Sequence, residues 1–276
     1  VVRELTVNNA NTFNPTSAYA KPTSTLRRQY NAFAESNLRN STSDLSAQTP
    51  MVDYASRVVD IMGNQTSGLS SALDGFFSAA DALSADPASS TQRISYLNSA
   101  GGVATRFAEV SSQLAQITTE SMQGMQNAAD EVNVLTAQLA QINQSLTRSP
   151  TLEGQPAQLL DARDKALRDL SNLVKINVSY TSNGIANVSV GTTPTRGILV
   201  NGIASRRLDV DMSQGKAEFV IDKYGSNTET APNLSGGTLG GYQTFIAQVL
   251  NPAVEQLNTL AQTFVDETNT IQQNGL

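Results

Sequence analysis

Apolar residues recur along most of this chain at steps of three and four, the spacing of helices with one buried stripe, and one internal stretch changes to steps of two. Leu26, Tyr30 and Phe33 begin the first helical run, and Leu38, Leu45, Met51, Val52, Val58, Val59 and Ile61 carry it to Gly63, placed as a left-handed C-cap. Leu69, Leu73, Phe76, Ala80 and Leu83 form a second run that closes at Ala85, with Asp86 expected as N-cap and Pro87 as first residue of a third helix. That helix is expected over 87–147. Phe107, Val110, Leu114 and Ile117 form its first stripe, and Ala128, Val132, Leu135, Leu139, Ile142 and Leu146 its second. If unbroken, it is a rod of about 90 Å. The weak patch at Ser121, Gly124 and Met125 reads as a stutter, and Gly101, Gly102 and Gly124 as possible bends.

After a break at 149–156 a short helix follows, QLLDARDKALRDLSNLV, in which Asp161 with Lys165 and Asp164 with Arg168 stand as i,i+4 pairs. From Val174 the period is two. Ile176, Val178 and Tyr180 alternate, Ser182 to Gly184 make a turn, Val188 and Val190 alternate again, and GILVNGIA, RLDVDM and AEFVIDKY continue the pattern. About five short strands are expected, enough for an independent β unit. Beyond the linker TETAPNLSGGT, Val254, Leu257, Ala261, Phe264, Thr268 and Ile271 restore helical spacing, with Pro252 expected to kink a helix or to start one after an Asn251 cap.

These elements predict an α+β fold, mainly α: an elongated antiparallel helical bundle with an inserted small antiparallel β domain. The expected division is an extended lead-in at 1–25, a helical rod formed by 26–173 together with 234–276, and the β insertion at 174–233. The stripes are expected to be core, with part of a stripe left to pair with a neighbouring subunit.

Composition narrows the chemistry. The formal charge is −6 with scattered basic residues, so neither nucleic acid nor a membrane surface is an expected partner. No apolar run approaches a membrane span. The opening VVRELTV has no signal-peptide pattern and no initiator Met, and the chain reads as an internal or processed piece of a longer protein. Aromatic residues make up 5% of the chain, which suits thin helical packing better than one thick core. His and Cys are both absent, which excludes disulfides, histidine bases, Ser-His-Asp and Cys-His arrangements and the common zinc sites.

What remains is carboxylate chemistry. Asp161, Arg163, Asp164 and Asp169 form the densest charged cluster, but interleaved basic partners make it a solvated face or a salt-bridge seam rather than a glycosidase pair facing a cleft. Gly236 to Gly241, GGTLGG, lacks the basic residue and spacing of a phosphate loop and is expected to be a flexible return from the β region. Asn40, Asn64 and Asn143 head N-x-S/T triplets that are expected by chance in so polar a chain. Catalytic, cofactor-binding and metal residues are expected to be none.

Three stretches together carry a resemblance. GLSSALDGFFSAADALSADPASS followed by a long helix, LLDARDKALRDLSNLV, and GGTLGGYQTFIAQVLNPAVEQLNTLAQTFVDETNTIQQNG resemble, in that order, the bacterial flagellar hook-associated protein 1 family, and YNAFAESNLRNSTSDLS is similar to its first rod helix. The resemblance implies a non-enzymatic structural subunit, outside the cell in the bacterial flagellum, at the junction of hook and filament. It implies a ring of like subunits touching hook protein on one side and hook-associated protein 3 on the other. The family's terminal helices, which polymerise and engage an export chaperone, have no counterpart in this stretch. The piece is therefore expected to be monomeric, with chaperone binding left to a C-terminal segment it lacks. From another class, a cell-surface adhesin or host-binding module on a helical stalk predicts a concave aromatic or charged patch on the β region.

Overall fold

In the computed structural model, residues 2–7, 24–63, 68–191, 195–211, 217–231 and 234–275 are described. Six α-helices are found among them: α1 (Ala32–Gly63), α2 (Leu69–Ala85), α3 (Ser90–Leu146), α4 (Ala157–Leu173), α5 (Gly237–Phe245) and α6 (Asn251–Gly275). The spine is α3, whose 57 residues form one uninterrupted helix of about 85 Å. Two large cores, and a smaller cluster of Ile142 and Leu146 with Leu160 and Ile185, are strung along it. Toward its N-terminal half, Val110, Leu114 and Ile117 pack with Val58 of α1, Leu69 of α2, and Phe245, Leu250, Ala253 and Leu257. Toward its C-terminal half, Met125, Val132 and Leu139 pack with Leu167 and Leu170 of α4 and with inward residues of the strands. Both α1 and α6 run antiparallel to α3. Arg57 meets Glu120, Phe264 stacks near Phe107, and Gln272 donates to the Tyr96 hydroxyl.

Strands β1 (Val2–Val7) and β2 (Ser24–Gln29) pair antiparallel, from Val2 opposite Gln29 to Val7 opposite Ser24. The remaining strands are β3 (Ile176–Tyr180), β4 (Ala186–Val190), β5 (Ile198–Asn201), β6 (Ala204–Ser205), β7 (Leu208–Asp211), β8 (Glu218–Ile221) and β9 (Glu229–Thr230). They form a sheet in the order β3-β4-β5-β6 and a second in the order β7-β8-β9, every pair antiparallel. The fold is thus mainly helical with a small antiparallel β region between α4 and α5. No helix among the described residues is long and apolar enough to cross a membrane.

Several expected boundaries move. The first helix starts at Ala32 rather than Leu26, because Leu26 lies in β2 and Asn31 caps the helix, its Oδ1 accepting from the Ala34 N–H at 3.1 Å. Gly63 is the last helical residue and its φ is not positive, so it is no left-handed cap. Asp86 ends α2, its N–H donating to the Ala82 carbonyl, and the cap of α3 is Ser89, whose hydroxyl accepts from Gln92. GILVNGIA makes two strands around a turn with Gly202 at φ 60°, and the linker TETAPNLSGGT contributes β9. At Pro252 Asn251 is no N-cap: Ile246–Leu250 form one π turn and Asn251 is already helical. A π turn is the economical answer here, since proline has no N–H to donate and its ring collides with the carbonyl four residues back.

Candidate functional site

Over the N-terminal half of α1 the usual division of faces is reversed. Its buried residues are Glu35, Arg39, Ser43, Pro50 and Val58, whereas Leu38, Leu45, Val52 and Val59 are 49%, 72%, 56% and 65% exposed. Those four stand at steps of seven on one continuous helix, so they form a single aliphatic seam with the geometry of a coiled-coil partner face. Of the expected α1 stripe, Met51, Val58 and Ile61 pack in a core, whereas Leu38, Leu45, Val52 and Val59 do not; the stripes of α3 are buried as expected.

Polar cross-links explain why α1 turns its polar side inward. Arg168 of α4 donates to both oxygens of Glu35 at 3.1 and 3.2 Å, Ser46 donates to Asn172, and Lys175 reaches Asp44 at 3.2 Å. Glycines supply the closest contact. A Cβ on Gly241 would sit 2.3 Å from the Ala47 carbonyl of α1, and one on Gly237, at φ 62°, would sit 2.3 Å from the Leu173 and Val174 backbone. GGTLGG is therefore a packing joint of α1, α4 and α5 rather than a flexible return.

The patch around Ser121 and Gly124 has the same character. A Cβ on Gly124 would strike the Tyr242 hydroxyl at 2.3 Å, so the weak point in the α3 stripe is a socket for an aromatic ring of α5. Tyr242 stacks with Tyr54 at 5.6 Å, and burial followed by the charge of Tyr54 pushes its phenol up to about 12. At Gly101 and Gly102 an added Cβ would meet nothing, and α3 runs through both unbroken.

The Asp161, Arg163, Asp164 and Asp169 cluster separates in space. Arg163, 3% exposed, donates through Nε and Nη2 to Asp164 at 2.9 and 2.7 Å and through Nη1 to the Gly184 carbonyl at 2.6 Å, and lies 4.6 Å over the Tyr180 ring. This clamps α4 to the β3–β4 turn. Burial, then the Tyr30 hydroxyl, keeps the Tyr180 phenol protonated far above its ordinary range. Asp169 instead takes Lys165 at the surface, at 2.5 Å, so the basic residue precedes the acid, and Arg168 leaves its own helix for Glu35. No group of three or more carboxylates among the described residues is placed to hold a metal ion.

Two amides that spacing did not single out as structural, Asn133 half-buried and Asn143 buried, dock the sheets onto α3. Asn133 accepts from Leu208 N–H at 2.7 Å and donates to its carbonyl at 2.8 Å, pairing with β7 as a strand would. Asn143 accepts from Ala186 N–H and donates to the Ala186 and Gly202 carbonyls. The signal available was a buried-side Asn in an otherwise apolar stripe, and for Asn143 the N-x-S reading masked it. Asn64 lies outside the described residues.

At the far end of the bundle, α2, α3 and α6 leave an apolar groove of about 370 Å³ around Phe76, Tyr96 and Phe264, with Phe77 59% and Ile271 69% exposed beside it. Phe76 stacks on Phe264 at 5.0 Å and on Tyr96 at 5.1 Å.

Comparison with known proteins follows the same architecture. The helical domain of the flagellar hook-associated protein FlgK matches over residues 55–276. The chain is 24% identical to flagellar hook-associated protein 1 of Salmonella typhimurium (strain LT2), across 91% of this chain and 46% of that protein. It is 25% identical to the protein of the same name from Bacillus subtilis (strain 168), across 76% of this chain and 46% of that protein. The structure of the flagellar hook junction protein FlgK from Burkholderia pseudomallei superposes with a TM-score of 0.72 at 24% identity, over 82% of this chain and 41% of that one, a likeness of fold. The chain spans less than half the length of these relatives.

Proposed function

The chain belongs to the flagellar hook-associated protein FlgK family, and from that premise we propose that it is a structural, non-enzymatic subunit of the bacterial flagellum outside the cell, at the junction of hook and filament. The observation that carries this reading is the exposed seam of Leu38, Leu45, Val52 and Val59, a helix face presented to another molecule rather than to the protein's own core. Like subunits arranged in a ring are the partners it fits, with hook protein and hook-associated protein 3 above and below. In the same reading the β insertion at 174–233 is carried on the rod formed by 26–173 and 234–276, and no catalytic, metal or cofactor group is assigned.

The seam is tested in the cell that makes the protein. Replacing Leu45 and Val52 together by Lys in the chromosomal copy should leave the protein exported and folded but abolish filament growth, so that flagellin accumulates in the medium. Normal swimming by cells carrying both charges would reject the seam as an assembly face. The surface positions of both residues keep folding out of the question, and circular dichroism of the purified variant verifies it.

A further inference from the structure

We propose that the groove between α1 and the outer face of the β3-β4-β5-β6 sheet binds an acidic saccharide, a uronic-acid type of sugar whose carboxylate rests on Arg39. The groove encloses about 480 Å³, within the range of small-ligand sites. Arg39 lines it and is only 7% exposed, and its guanidinium has no ion-pair or hydrogen-bond partner among the described residues. An anion entering the groove would meet a cation that the fold holds in place and could take charge-assisted hydrogen bonds from its guanidinium. Glu35, one turn earlier on α1, is engaged by Arg168 instead.

The floor of the groove argues for a sugar rather than a bare anion. Strand alternation places Asn177 and Ser179 of β3 on the same face as their β4 partners Ser189 and Asn187. Two of the amides are fixed by the fold. Asn177 donates to the Gly191 carbonyl at 2.6 Å, which leaves its side-chain oxygen as an acceptor, and Asn187 accepts from the Gly202 N–H at 2.7 Å, which leaves its NH2 as a donor. One cation beside preset donors and acceptors matches one carboxylate on a ring of hydroxyls. A phosphate or nucleic-acid backbone calls for several cations, and among the described residues lining the groove Arg39 is the one cation. A site of this kind is separate from the assembly seam and stands or falls independently of the junction role.

The test is calorimetric titration of the purified chain with glucuronate, alongside glucose and acetate. Glucuronate should bind saturably, with glucose and acetate each weaker by at least about tenfold, and R39M should lose at least about tenfold while R39K retains part of the affinity. Absence of saturable glucuronate binding, equal binding of acetate, or unchanged binding by R39M overturns the proposal. S179L, at an exposed position, fills the groove without touching Arg39 and should also abolish binding, so the outcome does not depend on R39M folding; unchanged affinity in S179L is equally fatal.

Discussion

Asn143 has no exposed surface, and its side chain makes three hydrogen bonds to main-chain groups of Ala186 and Gly202. Replacing it by Leu keeps the branched outline of the side chain but strands those groups in a dry interior, where each unmet donor or acceptor costs about 1–3 kcal/mol. N143L should therefore lower the urea midpoint clearly, by about 2–4 kcal/mol in unfolding free energy after partial relaxation. An unchanged midpoint would mean that the strands do not need the amide as an anchor. Glu229 sets a pH dependence in the same region. The Gly197 N–H, seconded by Arg206, holds its carboxyl below the ordinary 4.5 against the opposing pull of burial. A depressed carboxylate contributes stability that is fully present above 4.5 and disappears as pH falls through the lower folded value. Hydrogen exchange at the Gly197 amide should accordingly be faster in E229Q than in the parent at neutral pH, and the two should converge once Glu229 is protonated. A difference that persists in acid would show that Glu229 acts through shape rather than charge.

At the scale of elements, the glycines separate into those that fill a contact and those that only sit in a helix. G241A drives a methyl group to 2.3 Å from the Ala47 carbonyl, and overpacking of this kind costs about 1–3 kcal/mol, whereas G101A meets nothing and should gain about 0.5–1 kcal/mol from helix propensity. Thermal melts should thus move in opposite directions, and a G241A melt at or above the parent would mean that α5 does not rest on α1. The two glycines look alike in sequence, which marks where reading the chain stopped. Periodicity found α2, α3, α4 and the strands because one face of each is buried and the alternation records it. It misjudged part of α1, since toward the N-terminus the partner face is polar while Leu38, Leu45, Val52 and Val59 point outward, and a stripe does not say which side it will meet. GGTLGG was read as slack for the same reason: backbone approach leaves only an absence of side chain. The Asp161-to-Asp169 cluster was legible as a salt-bridge seam, but its partners were not, because Glu35 and Gly184 arrive from distant segments.

At the scale of the whole molecule, apolar clusters spaced along α3 predict a rod. A compact fold of this length has a radius of gyration of about 19 Å, while mass distributed along an 85 Å spine gives about 25 Å. Small-angle scattering should find the larger value at a light-scattering mass near the 29.3 kDa of one chain. The monomeric mass follows from the size of the seam. Four aliphatic side chains on one helix cover about 400 Å², so a pair of seams buries about 800 Å², less than a stable dimer needs. Such a face is too weak to join free chains yet sufficient between neighbours already held side by side, where effective concentration replaces intrinsic affinity. A radius near 19 Å would mean that α3 is folded back in solution. A dimer at micromolar concentration would mean that the seam closes on itself before any neighbour is supplied, and the assembly role would then have to pass to another face.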